Sequence, residues 1–105
     1  MTDDDVLKHV PPMVPSAHLL WTAIVDVAER EDLGSSRLGQ RFIVPITGGK
    51  FYAGPGWPAL SGTVLPGGAD RQLLRPDGIK ELVAVYEMRA ETGEVLMIRN
   101  SVIVD

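Results

Sequence analysis

Cysteine does not occur anywhere in the 105 residues. Disulfides, thiolate nucleophiles and cysteine-ligated zinc or iron–sulfur centres are therefore excluded. Histidine is almost as scarce. His9 and His18 lie in or beside the N-terminal stretch without metal-ligand spacing, so neither a metal site nor a histidine-dependent mechanism is expected. Basic charge is also in deficit, with 10 Lys and Arg against 14 Asp and Glu and a net charge of −4. A nucleic-acid partner needs a basic footprint to meet phosphates, and none is visible. A basic membrane-binding stretch is missing for the same reason. No apolar run approaches the roughly 20 residues needed to cross a bilayer. The opening Met1-Thr2-Asp3-Asp4-Asp5 is acidic, the opposite of a signal peptide's basic start, and a cytoplasmic location is expected.

Cofactor and nucleophile signatures are missing as well. Gly48-Gly49-Lys50 is not a phosphate-binding loop, because Phe51 stands where Ser or Thr is required. Gly54-Pro55-Gly56 has no strand–helix unit after it and is no dinucleotide fingerprint. No Gly-x-Ser-x-Gly elbow or Ser–His–Asp arrangement is evident. No cofactor is expected.

What the chain has is ordinary globular composition, 45% apolar and 23% charged, on a length suited to a single core. Eleven glycines and eight prolines fall almost entirely at intervals that punctuate short apolar runs. Residues 1–17, with Pro11, Pro12 and Pro15, read as an arm or tail that the prolines keep out of helix or inner strand. Residues 18–105 read as one domain. Leu19 to Val27 favours a strand, Gly34-Ser35-Ser36 a turn, and Arg41 to Thr47 an alternating strand. Gly48-Gly49 is expected to turn into a further strand from Lys50, and Gly54 to Pro58 to form a loop. Strands are expected at Leu60 to Leu65 and Asp70 to Leu74, separated by Pro66-Gly67-Gly68. Arg75-Pro76-Asp77-Gly78 fits a β-turn, Ile79 to Met88 a long strand, Glu91 to Glu94 a hairpin turn and Val95 to Val104 its partner. Turn signals every 8–12 residues predict an all-β antiparallel meander, forming a sandwich or a barrel. Pro45 inside a strand marks an edge, bulge or corner, which favours a barrel.

The segment from Gly39 to Phe51, GQRFIVPITGGKF, resembles the signature of domain-of-unknown-function family 3237. So does its continuation through Gly62 to Asp70 (GTVLPGGAD), Gln72, Arg75-Pro76-Asp77-Gly78 and Tyr86. The resemblance covers about residues 19 to 100. It implies a closed or partly closed barrel of the lipocalin-like or allene-oxide-cyclase-like kind, and no general activity. Three departures stand out. Arg71 occupies a position that is usually aromatic in that family, the loop from Tyr52 to Pro58 is longer, and the family's usual C-terminal strands are missing after Asp105. Either the chain is a fragment or the barrel closes by another route; a second chain supplying strands is one such route, and since an unclosed sheet leaves edges prone to pairing, a homodimer or higher homo-oligomer is expected.

Candidate site residues follow from charge placed on strands. Arg41 alternates in phase with Ile43 and Pro45; if that face is inward, its guanidinium is a clamp for a carboxylate or enolate. Its other readings are a structural ion pair with an aspartate or an outward surface arginine. Asp70 is either a general base and partner for Arg41 or a cap that fixes its turn, and the turn role leads. Asp77 is a turn residue. Tyr86, in phase with Lys80, Leu82, Ala84 and Met88, is a core, rim or ligand-facing tyrosine. Arg99 is a possible second cation in the cavity. Trp57 covers the barrel mouth, lines an interface or packs on its own loop. Glu81 and Glu87 are expected to face solvent.

Three functions are compatible with these residues. The leading one is a small-molecule-binding barrel whose ligand is a hydrophobic or aromatic acid. The second is a cofactor-independent isomerase, cyclase or lyase on a carbonyl compound, with Asp70 moving a proton and Arg41 stabilising an oxyanion. The third is an assembly module with a filled barrel.

Overall fold

A computed structural model describes residues 2–105. Strand dominates it. A short helix, α1 (Asp3–His9), is followed by β1 (Trp21–Val27), β2 (Glu31–Ser36), β3 (Gly39–Ala53), β4 (Gly62–Val64), β5 (Ala69–Leu74), β6 (Lys80–Ala90) and β7 (Val95–Val104). All pairings are antiparallel within one seven-stranded sheet. The fold is the all-β meander that the punctuation predicts.

The register shows that these seven strands lie in five lanes. β1 and β2 follow one another along the same side of β3, β1 against its C-terminal part and β2 against its N-terminal part. β4 and β5 likewise share the lane between β3 and β6. The break between them is Leu65 to Gly68, where the Ile46 amide donates to the Gly68 carbonyl and the Gly67 amide to the Ile46 carbonyl. Pairing therefore runs from β3 through β4, β6 and β5 back to β3, a partial ring in which β4 and β5 are two segments of one interrupted strand. β7 flanks β6 along ten consecutive residue pairs. Among the described residues, the β1/β2 lane and β7 do not pair with each other.

Two expected turns prove to be strand irregularities. Gly48-Gly49 does not reverse the chain; β3 runs straight through it as one 15-residue strand. Asp26 faces Gly48 while Val27 faces Ile46, so Thr47 is an extra residue that bulges the strand. Glycine is required at 49, where φ is 140° and an added Cβ would lie 2.2 Å from the Ile24 carbonyl oxygen. Gly34 sits at a second slip, with φ 91°, and its amide donates to Asp32 Oδ1 at 2.8 Å. The chain reverses later, at Arg37-Leu38, where Ser36 Oγ donates to the Gly39 carbonyl at 2.8 Å. Pro45 lies inside β3, and its carbonyl accepts from the Ala28 amide where the first lane passes from β1 to β2.

The N-terminal arm holds a helix where none was expected, because the first proline lies beyond its end. Thr2 and Asp5 form a reciprocal capping box, with acidic residues in the first turn and Lys8 and His9 in the last. The side chains described from Thr2 to Leu20 are exposed.

The core is one-sided. Ile46, Phe51, Val64, Met88 and Ala90 form it, with Trp21, Ala23, Val25, Tyr86, Leu96 and Ile98 packed around. Met88 is 0% exposed and Phe51 1%, although the molecule measures 58 × 44 × 16 Å. A single flat layer cannot enclose a side chain so fully, so the sheet curls around this cluster. Its radius of gyration is 19.7 Å, against about 13 Å for a compact chain of this length. That extent includes the exposed arm of residues 2–20; within the sheet the buried side chains cluster around β4, while β2 and most of β7 are exposed.

Candidate functional site

Residues directly opposite in an antiparallel pair share a face. Phe42 faces Gln72, Val44 faces Asp70, and these continue to Leu82 and Ala84 on β6. That is the core face, carrying Phe42, Ile46, Tyr86 and Met88. The opposite face carries three rows across the sheet. Arg41 faces Leu73, which faces Glu81. Ile43 faces Arg71, which faces Val83. Pro45 faces Ala69, which faces Val85, which faces Arg99.

These rows enclose a groove of about 590 Å³. Its apolar lining comes from Leu38, Ala69, Leu73, Val83 and Val85, and its charged lining from Arg41, Arg71, Arg99 and Glu81. The arginines are exposed while Leu73 and Val83 are half-buried, so cationic heads stand above a greasy floor. Glu81 is engaged at one end: Arg75 Nη1 lies 3.6 Å from its Oε1, while Arg75 Nη2 meets Asp77 Oδ2 at 2.6 Å. Among the described residues, none of the three groove arginines is in an ion pair. Three guanidiniums against one carboxylate make the groove positive on a chain of net charge −4. Such a patch attracts anions from solution and can bind a carboxylate through paired N–H donors.

The sheet sorts the candidates expected from sequence into two groups. Arg41 and Arg99 line the same groove. Arg41 does so because the Ile43 face lies opposite the core, so its side chain is not directed into the core side. Asp70 and Tyr86 lie on the core face. Asp70 therefore cannot pair with Arg41 through the sheet, and the acid–base couple required by the isomerase reading is not assembled within one chain. Asp70 Oδ2 instead accepts from Gln72 Nε2 at 3.0 Å. Tyr86 is half-buried beside the core and borders a smaller hollow of about 310 Å³ with Leu65, Pro66 and Met97. Trp57 is 46% exposed in the loop after β3, away from the groove lining. Asp77 acts in its turn, as expected, with Oδ1 accepting from the Ile79 amide at 3.1 Å. Glu87 is exposed, whereas Glu81 is a half-buried groove residue.

Arg71 is the site residue that strand-phase reasoning passed over. Its signal was present as the departure from the family pattern at that position, a cation in place of an aromatic ring. Among the described residues, no three His, Asp or Glu side chains stand together as a metal centre.

Comparison with known proteins gives a consistent relationship. The family described as proteins of unknown function (DUF3237) matches residues 15–105, and the chain belongs to that family. A UPF0311 protein of Clostridium acetobutylicum is 41% identical over 64 residues, covering 61% of this chain and 38% of its own. A UPF0311 protein of Rhodopseudomonas palustris strain TIE-1 is 40% identical over 78 residues, covering 74% and 46%. The chain thus spans less than half the length of these relatives. Among solved structures, a conserved protein of unknown function from Rhodopseudomonas palustris superposes with a TM-score of 0.72 at 32% identity, covering 82% of this chain and 55% of its own. A β-barrel-like protein from Acinetobacter baumannii superposes with a TM-score of 0.66 at 28% identity, covering 87% and 58%.

Proposed function

We propose that this member of the DUF3237 family binds a small, largely apolar molecule carrying an acidic group, and that the groove between Arg41, Arg71 and Arg99 is its site. The observation that carries this reading is the set of three guanidiniums without ion-pair partners over a floor of Leu73, Val83 and Val85. The floor supplies apolar contact, worth about 25 cal/mol per Å² removed from water. The arginines supply orientation and preference for an anion, since a guanidinium holds a carboxylate through two parallel donors. A groove of this volume is of the size that takes one small molecule.

The test is isothermal titration of phenylacetate-class and medium-chain carboxylates, each beside the uncharged amide of the same carbon skeleton. Carboxylates bind and amides do not. Arg41→Ala, Arg71→Ala and Arg99→Ala each weaken binding by about tenfold or more, the scale of one charge-assisted hydrogen bond. Equal binding of acid and amide, or affinity untouched by all three substitutions, refutes the reading.

A further inference from the structure

We propose that the ligand is an unbranched medium-chain acid, whose tail leaves the arginine groove along β6 and ends in the hollow beside Met97. The inference rests on the acid-binding reading of the groove and adds to it the shape of the bound molecule.

The two cavities are neighbours on one face of the sheet. The groove takes its floor from Val83 and Val85, and the hollow of about 310 Å³ is bordered by Leu65, Pro66, Val85 and Met97. Gly67, Gly68 and Val85 line both. Val83, Val85 and Glu87 share one face of β6 by the alternation of a strand. Glu87 faces Met97 on β7, just as Val85 faces Arg99. Groove and hollow are therefore successive stretches of one trough along β6.

What joins them is the interruption between β4 and β5. A regular strand would raise a side chain into the trough at every second residue of that lane. Glycine occupies 67 and 68 instead. Gly68 lies directly on β6, where an added Cβ would be 2.5 Å from the Tyr86 Cβ and 2.6 Å from the Val85 carbonyl oxygen. Gly67 takes a φ of 108°, and a Cβ there would meet nothing within 4 Å, so the space beside it is open. The passage is thus walled by backbone and floored by the Val85 side chain, which is 40% exposed.

The two ends differ in chemistry, and this sets the direction of the ligand. Arg41, Arg71 and Arg99 gather at the groove, whereas among the described residues that border the hollow Glu87 is the one with charge. Donors for a polar head are few in the hollow. The Leu65 amide donates to the Glu87 carbonyl at 2.9 Å, the Gly67 amide donates to the Ile46 carbonyl at 3.2 Å, and Pro66 has no amide hydrogen. Leu65, Pro66, Val85 and Met97 present apolar side chains. The acid head thus belongs with the arginines and the apolar tail in the hollow. From Val83, opposite Arg71, to Glu87 the strand rises about 13 Å. An extended methylene chain, advancing about 1.3 Å per carbon, covers that distance with about ten carbons. An acid of phenylacetate size stops short of it.

Isothermal titration of the full chain with hexanoate, octanoate, decanoate and dodecanoate, each below its micellar concentration, reads the tail directly. Affinity is expected to rise about two- to fourfold per methylene through decanoate, the scale of a methylene leaving water, and then to level off. Met97→Gln exchanges an apolar side chain for a polar one of similar length at a position 74% exposed, so the fold is retained. It is expected to lower decanoate affinity about fivefold or more while leaving hexanoate within about twofold. 10-Aminodecanoate, with a cation at the end of the same chain, is expected to bind more weakly than decanoate. Three results overturn the proposal: no gain from hexanoate to decanoate, equal loss of both acids in Met97→Gln, or tighter binding of 10-aminodecanoate, which would give the hollow to a cation held by Glu87. Hexanoate binding that still depends on the arginines leaves the acid site standing in each of these cases. Absence of binding by every carboxylate removes the site and its extension together.

Discussion

Substituting Gly49 by alanine is expected to damage the sheet far more than the same change one residue earlier. Gly48 and Gly49 share an unusual backbone, with φ values of 156° and 140°, so each alanine incurs backbone strain of about 1–3 kcal/mol. Their surroundings differ. A Cβ at 48 would have nothing nearer than the Val64 carbonyl oxygen at 3.8 Å, an ordinary contact. A Cβ at 49 would lie 2.2 Å from the Ile24 carbonyl oxygen and 3.1 Å from the Val25 Cα. Both neighbours are backbone, so no rotamer change relieves the clash. β1 must retreat by roughly 1 Å to restore an acceptable carbon–oxygen separation. That lengthens neighbouring ladder bonds past about 3.2 Å and loosens the seat of Ala23 and Val25 on Phe51. Two weakened hydrogen bonds at about 1 kcal/mol each, with some loss of packing, place Gly49→Ala about 2–3 kcal/mol below Gly48→Ala. For a domain whose whole stability is about 5–15 kcal/mol, that difference is large. Urea unfolding followed by tryptophan fluorescence measures it, preferably in a Trp57→Phe background so that Trp21 on β1 reports alone. Equal destabilisation by the two alanines would refute the close-approach argument and leave only a shared backbone effect.

Two further outcomes follow from the division of the sheet into faces. Met88→Ala removes a fully buried side chain from the centre of the one-sided core, and a loss of about 2–5 kcal/mol is expected in the same urea assay; a loss under 1 kcal/mol would mean the curl does not depend on that cluster. Asp70→Asn, on the face away from the groove, is expected to leave carboxylate affinity within about twofold of the original by titration, since a neutral isostere there changes no contact of the bound acid; a tenfold change would connect Asp70 to the site and revive its pairing with Arg41.

Strand existence was readable because turns are written in residues with special backbone needs. Arg75 to Gly78 and Glu91 to Glu94 sit where proline, aspartate and glycine place them, and Val95–Val104 matches its expected bounds. The two glycine sites that were misread show the limit of that logic. A glycine with positive φ serves a turn, a bulge or a close approach equally well, and only the partner strand decides among them. Ile24 decides it at Gly49, and Asp32 together with the slip against Arg41 decides it at Gly34. Neither neighbour is identifiable from local sequence.

The placement of Arg41 shows why a site is harder to read than a strand. Period-two alternation establishes that Arg41, Ile43 and Pro45 share a face and that Phe42, Val44 and Ile46 share the other. Both sets are largely apolar, so hydrophobicity does not say which one packs. The deciding residues lie beyond the bulge. Thr47 adds one residue, and the core parity of β3 changes from even at Phe42 and Ile46 to odd at Phe51. Read without the bulge, Phe51 belongs with Arg41; read with it, Phe51 and Ile46 join the cluster around Met88, and Arg41 is left facing the groove with Arg71 and Arg99. A single extra residue thus separates two carboxylate-binding hypotheses. One is a buried clamp and the other an open cationic groove; Asp70, opposite Val44, lies on the other face from Arg41 in either case.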